Sequence, residues 1–431
     1  MLLVFLAALA IPATGTFHLP AAVTEVSSEI RLPDGAHDLK ILGDGSTLRA
    51  SANFEGRAIL SCRGCRSIEL SGFTLDGNRD ASAKGLPIPP DDQTFASFVP
   101  NNGILIEDTQ GFSADHLDFS RIAGFAILVN HSSGISIGQV SVRDSGGVNA
   151  QGRNNATGGI LLEEGTEDFS IADSTFRNIR GNGVWTHSRY MSPRSRNGKI
   201  LRNEFSEIGR DAIQVGHAVS VEVADNRGTR IGFPVDLVDV ENGGTPVGVD
   251  TAGNVEQSTY ERNRFEDIDG KCIDLDGFHD GNVRRNTCVN AQAPEEYPYG
   301  NFGISLNNAS IEMQSKNIVI EENEISGTTF GAVFVLGAGH VIRNNRLLRL
   351  NTGHCGQRPG TFGCYGPPGE PGFLESGIYL AKGGARPAPA RNITIENNTI
   401  TGYHMARHCV EAAPGVKMSE QTIRNNTCTD E

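Results

Sequence analysis

One pattern recurs along this chain: a small residue, an apolar-x-apolar triplet, a turn, a second apolar-x-apolar triplet, and then Asn. It reads GISLNNAS and NIVIEENEI between residues 303 and 325, GIYLAKGG and NITIENNTI between 377 and 400, and AIQVGHAVSVEVADN from Ala212 to Asn226. Each half alternates with period two, which is strand periodicity, and helical spacing does not fit. A strand pair this short cannot bury its apolar side alone, so successive repeats must stack and share one core. At 431 residues length alone would suggest two or three domains, but a stacked repeat grows in one direction and escapes that expectation.

Aligning the repeats puts the first apolar position of each coil at Ile59, Ile104, Ile127, Ile160, Val184, Ile213, Val247, Ile273, Ile304, Val333, Ile378 and Val410. The tightest steps are about 23 residues, longer steps imply loops inserted at corners, and the sum is about 11–13 coils. The Asn position aligns as Asn203, Asn226, Asn263, Asn286, Asn323, Asn345, Asn398 and Asn426, with His116, Gln139 and Asp173 in earlier coils. Stacked amides at a coil corner satisfy turn backbone that would otherwise be buried without partners. The expected fold is all-β, a right-handed single-stranded parallel β-helix over residues 16–431.

The coil pattern and the Asn ladder resemble the pectin-lyase-like superfamily of parallel β-helix proteins, over roughly residues 30–430. The resemblance implies the fold and, more broadly, extracellular polysaccharide chemistry by lyases, glycoside hydrolases, esterases or epimerases; tailspikes and adhesins share the fold. It does not single out an activity. Polygalacturonase-type members carry adjacent aspartates, a Gly-His-Gly and an Arg-x-Lys. Here Gly216-His217 is followed by Ala218, and the other two motifs are not found. Pectate lyases add an Arg base to Ca²⁺-binding acids, and no Arg falls in the outward columns. The alginate epimerase Asp-Pro-His-Glu/Asp motif is matched only loosely by Asp276-Gly-Phe-His279-Asp280.

The eight cysteines follow the same repeat. Cys272 precedes the first apolar position of its coil and Cys288 lies two residues after Asn286; Cys409 and Cys428 hold the same two places in the last coil. This predicts Cys272–Cys288 and Cys409–Cys428 disulfides. Cys355–Cys364 would close the loop at 351–376, and Cys62 and Cys65 form a tight pair. A zinc site would also use thiolates, but the four pairs lie too far apart along a solenoid to share an ion. Residues Leu2 to Ile11 are an apolar run too short to span a bilayer, followed by small residues from Ala13 to Thr16. Residues 1–15 read as a signal peptide without its usual basic start, which suits disulfides and a secreted or periplasmic location. A formal charge of −14 with no basic stripe argues against nucleic acid, and no later segment reads as a membrane span.

In the first strand of each coil, positions two and four point outward and stack into columns. Position two reads Leu105, Leu128, Leu161, Trp185, Gln214, Gly248, Asp274, Ser305, Phe334, Tyr379 and Glu411; position four reads Glu107, Asn130, Glu163, His187, Gly216, Asp250, Asp276, Asn307, Leu336 and Ala381. The centre of this face is polar and the ends are apolar. Asp274 and Asp276 share a strand, with Cβ atoms about 6.6 Å apart, and Asp250 is expected beside Asp276, about 5 Å away. Like charges so close push one carboxyl toward protonation, the arrangement needed for acid and base catalysis. Candidate catalytic residues are Asp250, Asp274, Asp276, His279 and Asp280. Candidate substrate-binding residues are Trp185, His187, Gln214, His217, Glu163, Asn307 and Tyr379, with Trp185 placed to stack on a sugar ring. Loops at 78–101, 289–302 and 351–376 are expected to wall the groove. The alternatives are Ca²⁺ on the clustered carboxylates, or a solvated strand with no site. The functional expectation is a glycoside hydrolase acting on an extracellular polysaccharide. A uronate lyase or epimerase, or a non-catalytic glycan-binding surface protein, stands beside it.

Overall fold

A computed structural model describes residues 3–4, 9–82, 87–153, 157–240, 244–308, 310–355, 364 and 369–431. Residues 1, 2 and 5–8 of the expected signal peptide, and parts of the 78–101 and 351–376 loops, lie outside them. The chain forms two compact units, Met1–Ala212 with Phe233–Asp239, and Ile213–Gly232 with Val240–Glu431. Each is built of coils of a right-handed parallel β-helix.

In the first unit the strands of the site-bearing sheet are β1 (His37–Arg63), β2 (Asn102–Glu107), β3 (Phe125–Asn130), β4 (Gly158–Glu163) and β5 (Asn182–His187). They pair in parallel so that Leu105, Leu128, Leu161 and Trp185 form one column, and Glu107, Asn130, Glu163 and His187 another. In the second unit the equivalent strands are β6 (Ile213–Ala224), β7 (Val247–Glu256), β8 (Lys271–His279), β9 (Phe302–Asn307), β10 (Val333–Val335), β11 (Ile378–Leu380) and β12 (Val410–Ala412). Alternation places Val249, Ile273, Leu275, Ile304, Leu306, Val333, Val335, Ile378 and Leu380 inward, all with no measurable exposure. Burying each such side chain is worth about 1.5–3 kcal/mol relative to leaving it in water.

Two coils sit in a different register from the one expected. Leu60, not Ile59, stacks on Ile104, and Val249, not Val247, stacks on Ile213 and Ile273. In both coils two apolar residues compete for one inward position, and only pairing with the neighbouring strands selects between them.

The Asn ladder is present in the second unit from Asn226 to Asn426. Asn286 is representative: its Oδ1 accepts from the backbone N–H (3.0 Å) and the Nδ2 (2.9 Å) of Asn263. Its own Nδ2 donates to the Tyr260 carbonyl (2.9 Å) and to Asn323 Oδ1 (3.0 Å). Each amide therefore ties three coils together. In the first unit Asn203 accepts from the Ser174 N–H (3.1 Å) and donates to the Ile171 carbonyl (3.0 Å). His116, Gln139 and Asp173 do not occupy the ladder position. Asp173 aligns with Arg202, one residue before Asn203, and all four have positive φ. They take the left-handed turn that precedes the ladder, and Ser174 holds the ladder place in its coil. All four predicted disulfides, Cys62–Cys65, Cys272–Cys288, Cys355–Cys364 and Cys409–Cys428, are present.

Replacing one ladder amide strips buried turn backbone of partners on both sides, and each such loss costs about 1–3 kcal/mol. Asn286→Ala is expected to destabilise the second unit by about 2–4 kcal/mol, read as a lower urea midpoint. A change below about 0.5 kcal/mol, the range of an ordinary surface substitution, would show that the ladder does not bear on stability.

Candidate active site

The expected columns break into three environments. In the first unit, the apolar stretch is covered. The single-turn helix α1 (Phe95–Phe98) lies over Leu105, Leu128, Leu161 and Phe125, with Trp185 half-buried against it. The Phe95 and Trp185 rings meet edge-on at 4.8 Å. Glu163 is completely buried and clamps this segment. It accepts from the Phe95 and Ala96 backbone N–H groups (2.9 and 2.7 Å) and from Asn130 Nδ2 (2.9 Å). Burial pushes its carboxyl up to about 7, against the pull of those donors. Glu163, Trp185 and His187, expected on an open sugar-binding face, are instead occupied with a loop of their own unit. Glu163, Glu164 and His187 have ligand atoms within 4.8 Å of one another, but Glu163 serves the loop and Glu164 holds the backbone N–H and Nε of Arg189.

Tyr379 is corrected in the same way. It is 1 % exposed, its hydroxyl donates to Glu370 (2.6 Å), and its ring packs against Phe334 and Phe373. An apolar run at an outward position marks where a loop docks, because an open face would leave that surface in water.

The second unit also carries a polar stretch. The shifted register changes its geometry. Asp250 stacks on Gln214 and Asp274, and Asp276 stacks on Ala252 and Asn307. Asp250 is therefore the neighbour of Asp274, about 5 Å away by the coil spacing, and not of Asp276. Gln214 Nε2 donates to Asp250 Oδ2 (2.7 Å). Asp274 receives Lys271 Nζ on Oδ2 (2.5 Å) and Asn307 Nδ2 on Oδ1 (2.8 Å). The Lys271 ammonium is the counter-charge that the structure gives Asp274. Lys271 itself is held above its usual range; burial opposes this, and the Asp274 charge and hydrogen bond outweigh it.

Asp276 contrasts with its neighbour. Its Oδ1 is buried without a hydrogen-bond partner among the described residues. Burial, with the charge of Asp274 added, pushes its carboxyl up to about 6, against the opposing charges of Arg386 and Lys271. Two carboxyls on alternate residues thus have opposed environments, one ion-paired and one inclined to hold a proton.

His279, Asp280 and His217 belong to the adjoining corner. His279 uses both ring nitrogens there, toward Asp280 Oδ2 (2.8 Å) and Asn254 Oδ1 (2.9 Å). Asp280 also accepts from Asn317 (2.8 Å); these bonds outweigh its burial and hold its carboxyl low. His217 Nδ1 accepts from the Asn254 N–H (3.3 Å). This corner sits at a bulge, where β7 carries an extra residue between Ala252 and Val255. Gly253 adopts φ +97° there, under the His217 ring.

Arg386 has no repeat position, and no signal in the sequence points to it. The same holds for the cleft of about 260 Å³ beside Asp274, lined by Lys271, Ser305, Asn307 and the rings of Phe302, Phe334 and Phe373. Of the expected walls, 289–302 contributes Tyr299, and the end of 351–376 contributes Phe373 and Leu374.

Trp185 is the single tryptophan and reports on the clamp directly. Glu163→Ala removes the acceptor for two buried N–H groups, a cost of about 2–4 kcal/mol. Trp185 emission is expected to shift to the red and the 87–101 segment to become a protease site. Unchanged emission and an unchanged digestion pattern would refute the clamp.

No curated protein matches the sequence. Solved structures match its fold. PfbA, a surface adhesin of Streptococcus pneumoniae, aligns with a TM-score of 0.54 at 16% identity, over 77% of this chain and 82% of its own. The Dettilon tailspike protein gives 0.51 at 12% identity, over 94% and 63%. The GH136 lacto-N-biosidase from Eubacterium ramulus gives 0.50 at 12%, over 90% and 62%. The chain spans less than two thirds of the length of the last two. At such identities the likeness is one of fold alone. It agrees with the resemblance to pectin-lyase-like β-helix proteins read from the coil pattern. The model of the right handed beta helix region matches residues 96–347, more than half of the sequence, and the chain belongs to that family.

Proposed function

We propose that the protein is a glycoside hydrolase acting on an extracellular polysaccharide, with Asp276 as general acid and Asp274 as its ionised partner. The observation that carries this reading is the contrast between the two: a buried, ion-paired Asp274 and, two residues away, a half-buried Asp276 whose buried Oδ1 has no partner among the described residues. In this scheme protonated Asp276 gives its proton to the glycosidic oxygen as the anomeric carbon–oxygen bond breaks. Water adds to the anomeric carbon and loses a proton to Asp274. Asp250, oriented by Gln214, adds negative charge beside a cationic transition state. The protein is exported in this reading, which suits its four disulfides. Among the described residues, no helix is long and apolar enough to cross a membrane. That a lacto-N-biosidase and an adhesin share the fold makes a glycan partner reasonable without choosing cleavage over binding.

The test is a polysaccharide panel read by mass spectrometry. Hydrolysis adds water to the products; elimination does not, epimerisation changes only stereochemistry, and a binding protein makes no product. Asp276→Asn is expected to lower kcat by about 10²–10⁴-fold, and less on an aryl glycoside whose leaving group needs no proton. Full activity in both Asp274→Asn and Asp276→Asn would remove the assignment. The acid must hold its proton to act, so activity is expected to fall as pH rises through about 6. A profile flat from pH 4 to pH 8 would contradict this role for Asp276.

A further inference from the structure

The cleft beside Asp274 has an unusual lining for a polar site. Tyr299, Phe302, Phe330, Phe334 and Phe373 all contribute to its wall, and all five are half-buried. Elsewhere in the same unit Phe265 and Phe278 are sealed in the core. Phe334 and Phe373 meet edge-on at 5.2 Å, so the wall is braced by packing. Its polar side is formed by Lys271, Asn301, Ser305 and Asn307. Lys271 and Asn307 are the two residues that hold Asp274, so the cleft and Asp274 share part of their surroundings. Asn301 is 1 % exposed; its Oδ1 accepts from the Thr329 N–H, while its buried Nδ2 has no acceptor among the described residues.

We propose that this cleft is a subsite for one uncharged pyranose unit of the glycan, adjoining the bond at Asp276; the assignment rests on the hydrolase reading above. Aromatic walls with a few amide and hydroxyl groups on one side fit a sugar ring, which offers C–H groups on its faces and hydroxyls at its edge. Charge decides against a uronate. Asp250, Asp274 and Asp276 stand here against Lys271 and Arg386. The Lys271 ammonium already carries Asp274, and Arg386 donates to the Asn308 carbonyl. With Asp276 holding its proton, the two remaining carboxylates offset these two cations, so a sugar carboxylate would find no spare positive charge to repay its desolvation.

The experiment uses Asp276→Asn as a non-cleaving protein. It is titrated calorimetrically with neutral oligosaccharides of glucose, mannose, xylose, galactose and N-acetylhexosamine, and with oligogalacturonate and oligomannuronate. A neutral oligosaccharide is expected to bind, and the uronates at least about 10-fold more weakly. Adding Phe334→Ala is expected to weaken the neutral ligand about 10-fold or more, the scale of a lost aromatic wall. Phe334→Tyr is expected to retain it, and Phe334→Leu controls for loss of packing. Tighter binding of a uronate, or unchanged affinity in both Phe334→Ala and Phe373→Ala, would overturn the subsite. Binding that depends on Phe334, with no product from the wild-type protein on the same glycan, would keep the subsite and remove the hydrolase.

Discussion

Backbone hydrogen bonding between successive coils is the constraint on which every other feature depends. Because strands pair in parallel and in register, a residue at one position lies about 4.8 Å from its equivalent in the next coil. Whatever type of side chain repeats is thereby forced into a column. Aliphatic residues in the inward columns make a dry core with no exposure from Val249 through Leu380. Amides in the corner column become a chain of hydrogen bonds in which each Asn serves the coil before and the coil after it. The cost of the left-handed residue before each ladder Asn, about 1–2 kcal/mol for a side chain other than Gly, is offset by that chain.

The outward columns obey the same geometry with a different outcome. Nothing requires them to be buried, so their composition records what lies on top. In the first unit Leu105, Leu128 and Leu161 carry α1, and the buried Glu163 carboxylate fixes the helix by its first N–H groups. In the second unit Leu336 and Tyr379 lie in a second apolar cluster, with Phe334 and Phe373 against it. The stretch rich in carboxyl and amide groups keeps only a narrow opening, with Gln214, Asp250, Asp274 and Ser305 at 5–8 % exposure. A site on such a scaffold needs few special devices, since adjacent coils already hold Gln214, Asp250, Asp274 and Ser305 in one line.

Electrostatic differentiation within that line comes from its surroundings. Asp274 and Asp276 are the same residue type on the same strand face. One meets Lys271 and Asn307; the other has a buried oxygen with no donor near enough to bond. Asp276 is pushed toward protonation by burial and by the charge of Asp274, and the contrast in surroundings gives the pair its proposed division of labour. The adjoining aromatic cleft extends the same region toward apolar surface, which suits a ligand that is itself polar at its edges and apolar on its faces.

Period-two alternation and the recurring Asn were sufficient to determine the β-helix, most of the inward residues, the ladder from Asn203 to Asn426 and the Cys272–Cys288 and Cys409–Cys428 disulfides. Each of these depends only on local spacing repeated many times. The candidate aspartates were legible for the same reason, as polar residues at an outward position. Register was not legible where two apolar residues competed, as at Ile59-Leu60 and at Val247 and Val249. A shift of two residues moved Asp250 from beside Asp276 to beside Asp274, and a shift of one put His116, Gln139 and Asp173 in the turn before the ladder. Nor did the sequence show that Trp185, Glu163 and Tyr379 are covered, that the Arg386 charge acts on Asp276, or that Phe373 walls the cleft. Those contacts are made by inserted loops, whose paths carry no repeat and are set by the surface that they bury.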